Sequence, residues 1–493
     1  MIILLLTSLL MLQPAEGSPG QPDTEGQTQS TSETPSELEL LQTRHRELKR
    51  TTPLNEESLD VLLQDVMAYN ERNPYLPESL ILEARINVMM NRFEQADALY
   101  RRALTSDPER IMDGLEWAAL VHTQSPEQAI ATLRELADLA PERMGYWMGL
   151  YEYLYKFAPE QIGPEFEQLL SEDGMSVQMT TLIDTIGKLN LDLGVELGRR
   201  LHERFPDDAE ATFAYARRLR YANRYNDTRI LLETLPDDLL LRPDIGVLYS
   251  DSLYMDHHFR QSIEHLLAFE GNVDHAYQAH NRDRDWRLNT RPKMIEYWET
   301  EQAIREEQSG ANPQVRLLIN GNPVLLELHA INAPTTVANF LSLVRSGFFT
   351  DTPFHSVRAG FVSQGGVPDG ETFPSYAGPG YSIADESDRT DARSHFSGSI
   401  AMAKVSEDQL VGSQFYITHV PAHHLNGRSP VFGHVLEGLD VVRAMRGGER
   451  LDSIEIVRPG TAELPQDFDI LTPDGVTIRH SELHDHDQSP PSD

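Results

Sequence analysis

Between about residue 55 and residue 270 the chain repeats itself, and that repetition limits the fold more than any other feature. Ala96, Tyr100, Ala103 and Pro108 recur as Ala129, Leu133, Leu136 and Pro141, a shift of 33 residues. Thr228, Leu232, Leu235 and Pro236 fall near the same frame, and Ser262, Leu266 and Phe269 follow 34 residues later. A small residue, a bulky one four positions on and an apolar one three further mark one face of a helix. The small residue admits a close partner, and the proline ends one helix pair and opens the next. An earlier helix precedes each of these: Leu80, Ala84 and Val88; Gly114, Trp117 and Val121; and, more weakly, Phe213, Arg217 and Arg220. Such pairs bury their apolar faces only by stacking on neighbours.

This pattern resembles the tetratricopeptide repeat. The match is good in the first two repeats, loose from about 145 to 206 and moderate afterwards. The resemblance implies an α-solenoid over residues 55–271 whose concave face takes a peptide or protein partner; the alternative is a scaffold that packs on the rest of the chain. Residues 272–312 read as a charged, partly helical connector, with Trp286 and Trp298 as packing anchors.

Charge and composition narrow the partners. The 42 basic residues against 77 acidic ones give a net charge of −35. That surface repels phosphate backbones and anionic lipid headgroups, which argues against nucleic acid and against electrostatic membrane docking. Cysteine is absent, which excludes disulfides, cysteine-ligated metal and thiol nucleophiles.

The chain opens with an apolar run, Ile2 to Leu12, too short to span a ~30 Å hydrocarbon core, followed by Ala15-Glu16-Gly17 as a small-x-small cleavage pattern. Residues 1–17 therefore read as a signal peptide lacking the usual basic start. The expected destination is the periplasm or the exterior, with no membrane contact after signal removal; a retained N-terminal anchor is the alternative. Residues 18–54 read as a disordered linker and residues 461–493 as a tail, largely disordered at its end. His480, His484 and His486 have a spacing that suits a metal, but the Asp-rich context favours a solvated segment.

From about residue 313 the periodicity changes. Val315–Ile319 and Val324–Leu328 are β-type runs around the turn signal Asn320-Gly321. Pro334 opens a helix whose buried stripe is Val337, Phe340, Leu341 and Val344. Short strands between glycine-rich turns follow, which suggests a closed β-barrel.

The segments APTTVANFLSLV, PFHSVRAGFVSQGG, GPGYSIADE, HFSGSIAMAK, GSQFYIT and HLNGRSPVFGHVLEGLDVV resemble, in order and spacing, a cyclophilin-type peptidyl-prolyl isomerase domain over residues 313–460. The expected architecture is thus multidomain: an α-solenoid of helix pairs, then a cyclophilin-like closed β-barrel with flanking helices. The resemblance implies no cofactor, and it implies Pro-containing peptides or unfolded client proteins as ligands. It places the proline pocket at Phe361, Val362, Phe415 or Tyr416, and Leu425. Gln364 is implied to contact substrate backbone, and Ala403 and Gln414 to meet the residues before the proline. Phe415 and Leu425 also suit barrel core.

Four positions depart from the family pattern. Ser356 stands where the catalytic arginine is expected, Ser429 where a pocket histidine is expected, His424 where tryptophan is frequent and Lys404 where asparagine is usual. Isomerisation needs no covalent step: an apolar pocket holds the proline while a donor favours the pyramidal prolyl nitrogen over the conjugated one, against an amide barrier of ~18–20 kcal/mol. A serine hydroxyl is a weaker donor than a guanidinium. Arg358 lies two residues along the same strand, hence on the same face as Ser356, and is the candidate substitute; Lys404 is a weaker one. Two readings follow: an isomerase with attenuated turnover acting on exported proteins, or a non-catalytic Pro-peptide-binding scaffold.

Overall fold

The structure, a computed structural model, describes residues 36–51, 55–268, 277–368, 378–404, 410–473 and 475–483. The leader and most of the linker expected before residue 55 lie outside these residues, as do His484 and His486. The chain divides into two compact units, Met1–Phe205 and Pro206–Asp493.

The first unit is built from helix pairs. Across the whole chain the leading helices begin at Pro77, Ile111, Met144, Val177, Ala209 and Pro243, at intervals of 32 to 34 residues. The residues that define the repeat are its core: Ala96, Tyr100, Ala103, Ala129, Leu133 and Leu136 are all fully buried. Close approach of successive pairs requires Gly114, because a Cβ there would sit 2.5 Å from the Tyr146 ring. The stretch from 145 to 206, loose in sequence, is as helical as the rest, with helices Met144–Phe157, Ile162–Leu170, Val177–Leu189 and Leu191–Arg204. Its core is filled by Tyr146, Tyr151, Phe166, Ile183 and Leu201 in place of the earlier alanines.

The expected linker needs correction at its C-terminal end. Glu37–Lys49 is a helix opened by a Ser36/Glu39 capping box. Its Leu38, Leu41 and Leu48 pack on Leu59, Leu62 and Val66 of the next helix. A charged composition hid this narrow apolar stripe.

In the second unit the repeat continues as Ala209–Tyr221, Tyr225–Leu232, Pro243–Met255 and Phe259–Ala268. The expected connector is instead two packed helices, Gln278–Thr290 and Lys293–Glu307. Trp298 anchors the second, stacking on His257 at 4.3 Å and meeting Phe396 of the barrel edge-on at 4.9 Å. Trp286, the other expected anchor, is 63% exposed. Buried charge pairs join these elements. Asp251 accepts hydrogen bonds from Arg287 at 2.6 and 2.7 Å and also from Arg291.

The barrel strands are β1 (Gln314–Ile319), β2 (Asn322–Leu328), β3 (Thr352–Pro353), β4 (Ser356–Arg358), β5 (Val362–Gly365), β6 (Ile383–Ala384), β7 (Ser399–Lys404), β8 (Leu410–Thr418), β9 (Val431–Glu437) and β10 (Arg450–Arg458). All pair antiparallel, in the order β3-β10-β1-β2-β9-β7-β8-β5-β4, with β6 on β8. Where a closed barrel was the expectation, the sheet is curled and its ends, β3 and β4, are not paired with each other among the described residues; only Phe354 and His355 separate them in sequence. Asn320 and Gly321 both have positive φ, 44° and 77°, as the tight β1–β2 turn requires. Phe340, Phe349, Phe354, Phe415 and Phe432 fill the interior.

The expected tail is partly folded. β11 (Asp469–Leu471) and β12 (Thr477–Arg479) form a hairpin, and Phe468 and Ile470 enter the barrel core. His480 stacks on Phe468 at 4.6 Å. Among the described residues no helix is long and apolar enough to cross a membrane.

The helices of the second unit and the barrel share buried polar contacts. Arg393 makes a bidentate pair with Glu301 at 2.6 and 2.7 Å. Arg443 donates to Asp256 Oδ1 at 2.8 Å and to the Met255 carbonyl at 2.7 Å.

The Asp251 cluster yields a stability prediction. Burial pushes its carboxyl up, but hydrogen bonds from Arg287 and the charges of Arg291 and Arg287 outweigh this and hold it at about 2, below the usual 3.8. The folded state thus gains stability above about pH 4 that is lost as pH falls toward 2, roughly 2 kcal/mol at ~1.36 kcal/mol per pH unit. Asp251→Asn should cost about 3–5 kcal/mol, because it leaves buried guanidinium charge uncompensated. It should also flatten this part of the acid limb in urea titrations run from pH 5 to pH 2.

Candidate active site

The site begins with strand alternation. On β4, Val357 packs toward the barrel core, which turns Ser356 and Arg358 to the other face. Across the ladder Ser356 pairs with Gln364 and Arg358 with Val362. Gln364 in turn faces Tyr416 of β8, and Tyr416 faces Ala401 of β7. The result is an apolar floor of Val362, Ala401, Ala403, Tyr416 and Val431, with Phe361 and Leu425 packed at its margin.

Phe415 does not belong to it. Its neighbours across the sheet are Gly365 and Met402, and its ring meets Phe340, Phe349 and Phe354 edge-on inside the barrel. Successive strand residues face opposite ways, so only Tyr416 of the Phe415-Tyr416 pair reaches the groove.

The polar rim assembles on the same face. Gln364 Nε2 donates to Gln414 Oε1 at 3.0 Å. Gln414 is only 5% exposed, and its Nε2 has no acceptor among the described residues. Ser356 is half-buried, and among the described residues its hydroxyl is not hydrogen-bonded. Arg358 is exposed, and its guanidinium is neither ion-paired nor hydrogen-bonded among them. Lys404 is unavailable as a substitute donor, because its Nζ lies 2.6 Å from the buried Asp385 carboxylate. His355, next to Ser356, buries both ring nitrogens without a partner among the described residues, and burial lowers its pKa.

Tyr416 is fixed from behind by residues the sequence reading did not single out. Asn426 Oδ1 accepts from the His395 backbone at 2.9 Å and from its Nδ1 at 3.0 Å. Asn426 Nδ2 donates to Ser394 Oγ at 3.2 Å, which sets the amide orientation. His395 Nδ1 therefore carries the proton, and Nε2 accepts from the Tyr416 hydroxyl at 2.9 Å. Burial holds His395 neutral, lowered to about 4. Burial also pushes the Tyr416 phenol up to about 12, with a hydrogen bond to Ser429 acting the other way. His424 restores a ring elsewhere, stacking on Phe361 at 5.6 Å and 20°.

Ala401 and Val431 were also missed. Ala401 was legible as the same-face neighbour of Ala403 two residues on; Val431 depends on β7–β9 register, which local sequence does not carry. Residues 369–377 and 405–409 lie outside the described residues.

An antiparallel barrel with an apolar groove and a glutamine-lined rim matches the family model for "Cyclophilin type peptidyl-prolyl cis-trans isomerase/CLD" over residues 315–460. Peptidyl-prolyl cis-trans isomerase B of Bacillus subtilis is 41% identical over 140 residues, 28% of this chain and 94% of that protein. A peptidyl-prolyl cis-trans isomerase of Synechococcus elongatus is 39% identical over 158 residues, 32% of this chain and 96% of that one. One from Helicobacter pylori is 37% identical over 153 residues, 31% and 91% of the two chains. The chain belongs to the cyclophilin-type peptidyl-prolyl isomerase family, and the barrel is its isomerase domain. The family match begins after the helical repeats.

The tyrosine support is testable. Tyr416→Phe keeps the ring but leaves His395 Nε2 buried without a donor, and should lower unfolding free energy by about 1–3 kcal/mol. Urea melts of the variant check this. Loss of less than half a kilocalorie would mean that the His395 contact is not formed in solution.

Proposed function

We propose that the protein isomerises Xaa-Pro bonds in exported proteins, with turnover attenuated by Ser356 and with Arg358 as the relocated cationic donor. The observation that carries this reading is the shared face of Ser356, Arg358, Val362 and Gln364. The proline ring seats on Val362, Ala401 and Tyr416 beside Phe361, where water is excluded and a charge-assisted hydrogen bond gains strength. Gln364 and Gln414 engage the backbone preceding the proline. The Arg358 guanidinium, about 7 Å along the strand from the Ser356 position, reaches back over the groove to the prolyl nitrogen. This favours the pyramidal nitrogen of the transition state, and no bond to the enzyme forms. The helical repeats bring clients to the groove, and the apolar N-terminal run with its small-x-small site supports export to the periplasm or beyond.

A second reading keeps the binding and drops the catalysis: the groove holds proline segments while the repeats organise a complex. The neutral hydroxyls at Ser356 and Ser429, in positions where the family has cationic and ring side chains, favour it.

Isomerase kinetics on the full chain separate the two. Under the first reading Arg358→Ala lowers kcat by ~10²–10³, the effect of removing one transition-state donor, with KM nearly unchanged, and Ser356→Arg raises kcat. A wild-type protein that binds but does not turn over, and gains turnover only through Ser356→Arg, would establish the second.

A further inference from the structure

The turn that joins Arg358 to Phe361, whose ring packs at the groove margin, is held by a chain of contacts that ends outside the barrel. Phe361 N–H closes it on the Arg358 carbonyl at 2.9 Å, and Gly360 adopts φ +71° within it. His419 braces the turn from three sides. Its backbone N–H donates to the Phe361 carbonyl at 2.8 Å. Its Nδ1 accepts from Gly360 N–H at 3.2 Å, which leaves Nε2 protonated and donating to Ser363 Oγ at 2.8 Å. Burial, with the charges of Arg443 and Arg446, lowers the ring to about 4 and keeps it in this neutral form.

His419 is itself held by Arg443, whose Nε donates to the His419 carbonyl at 2.9 Å. The rest of that guanidinium belongs to the helices: Nη1 to Asp256 Oδ1 and Nη2 to the Met255 carbonyl, with the Tyr225 ring 4.7 Å beneath. Asn223 completes the clamp. Its Nδ2 donates to the Arg443 carbonyl at 3.1 Å, and its Oδ1 accepts from the Tyr225 hydroxyl at 2.9 Å. Asn223 adopts φ 62°, a left-handed conformation that asparagine tolerates. The space where Gly360 would carry a Cβ ends 3.4 Å from Asn223 Oδ1 and 3.8 Å from the Tyr225 hydroxyl. Asn223, Tyr225 and Arg443 are all buried.

We propose that Asn223, Tyr225 and Asp256 of the helical repeats are positioning residues for the isomerase groove. They act through Arg443 and His419 to fix the Arg358–Phe361 turn. The barrel's groove therefore takes its working shape only with the helices seated on it. The proposal rests on the reading of this groove as the isomerase site, and the test separates failure of the one from failure of the other.

The experiment uses the full chain, an Ala-Pro-containing chromogenic tetrapeptide, three variants, a control variant and an Arg443→Gln background. Asn223→Gly removes the side chain while tolerating the positive φ, Asp256→Asn removes the charge, and Asp256→Glu restores it. Arg260→Gln, which breaks an exposed pair with Glu299, is the control. At a temperature where circular dichroism shows every variant folded, Asn223→Gly and Asp256→Asn should raise KM and lower kcat/KM by roughly tenfold, short of the ~10²-fold that a 1 Å misplacement costs. Asp256→Glu should recover most of this, and Arg260→Gln should match wild type. Asp256→Asn should add nothing in an Arg443→Gln background. Kinetic constants unchanged in both variants, with only the unfolding midpoint lowered, would overturn the proposal. Should wild type turn over no Xaa-Pro peptide, the isomerase reading falls, and amide hydrogen exchange at Gly360 and Phe361 decides the positioning role. Faster exchange in Asn223→Gly and Asp256→Asn supports it; exchange equal to wild type overturns it.

Discussion

Strict alternation on the β4, β5, β8 and β7 strands is the constraint from which the groove follows. Each residue on these strands has a neighbour facing the opposite way, so one curled sheet carries two separate apolar populations. Phe415, Met402 and Val357 go inward to the phenylalanine-rich interior, while Tyr416, Ala401 and Val362 form a second, smaller cluster on the outside. A one-residue slip in register would exchange the two sets and bury Gln364 and Arg358 in the core. The interior therefore protects the groove's register as much as the groove's own contacts do. Small residues at 401 and 403 leave room on the floor, and the Tyr416 hydroxyl at its back edge is tied to His395, so the floor ring has a single orientation.

Arginine is mostly committed elsewhere. The chain has 77 acidic residues against 42 basic ones, and Arg393, Arg443, Arg287 and Arg242 are all paired with carboxylates. On the groove face the balance differs. Arg358 makes no pair among the described residues, and Lys404 is neutralised by Asp385.

How much of this was legible depended on the range of the interaction involved. The helical repeat, the Asn320-Gly321 hairpin and the six barrel segments are local patterns, readable from periodicity and turn chemistry. Most groove residues followed from the family resemblance, because strand spacing alone does not say which face meets a ligand. Sequence alone leaves Phe415 and Tyr416 as alternatives for that reason, and the cross-strand partners Gly365 and Met402 separate them. The helix at Glu37–Lys49 and the helices between 278 and 307 were obscured by their charge. A capping box orders the first of them, and long-range pairs such as Arg393 with Glu301 hold the last. His395, His419 and Asn426 were invisible in sequence because each acts on a residue far along the chain.

Long-range polar contacts also tie the later helices to the barrel. A break near residue 271 or 313 would follow composition, yet the compact units part at 205/206. Glu301, Asp256 and Asn223 lie in the helices and bond to Arg393 and Arg443 in the barrel, nearly all of them buried. Buried ion pairs add little net stability compared with a well-packed apolar seam, but each tolerates one geometry only, since a misaligned partner strands a charge away from water. An apolar seam around Trp298 and Phe396 supplies adhesion, and the guanidinium contacts supply register. For a groove whose Phe361 sits on a turn beside Asn223 and Tyr225, register is the more consequential of the two: a slide that left the buried area unchanged would still move the turn.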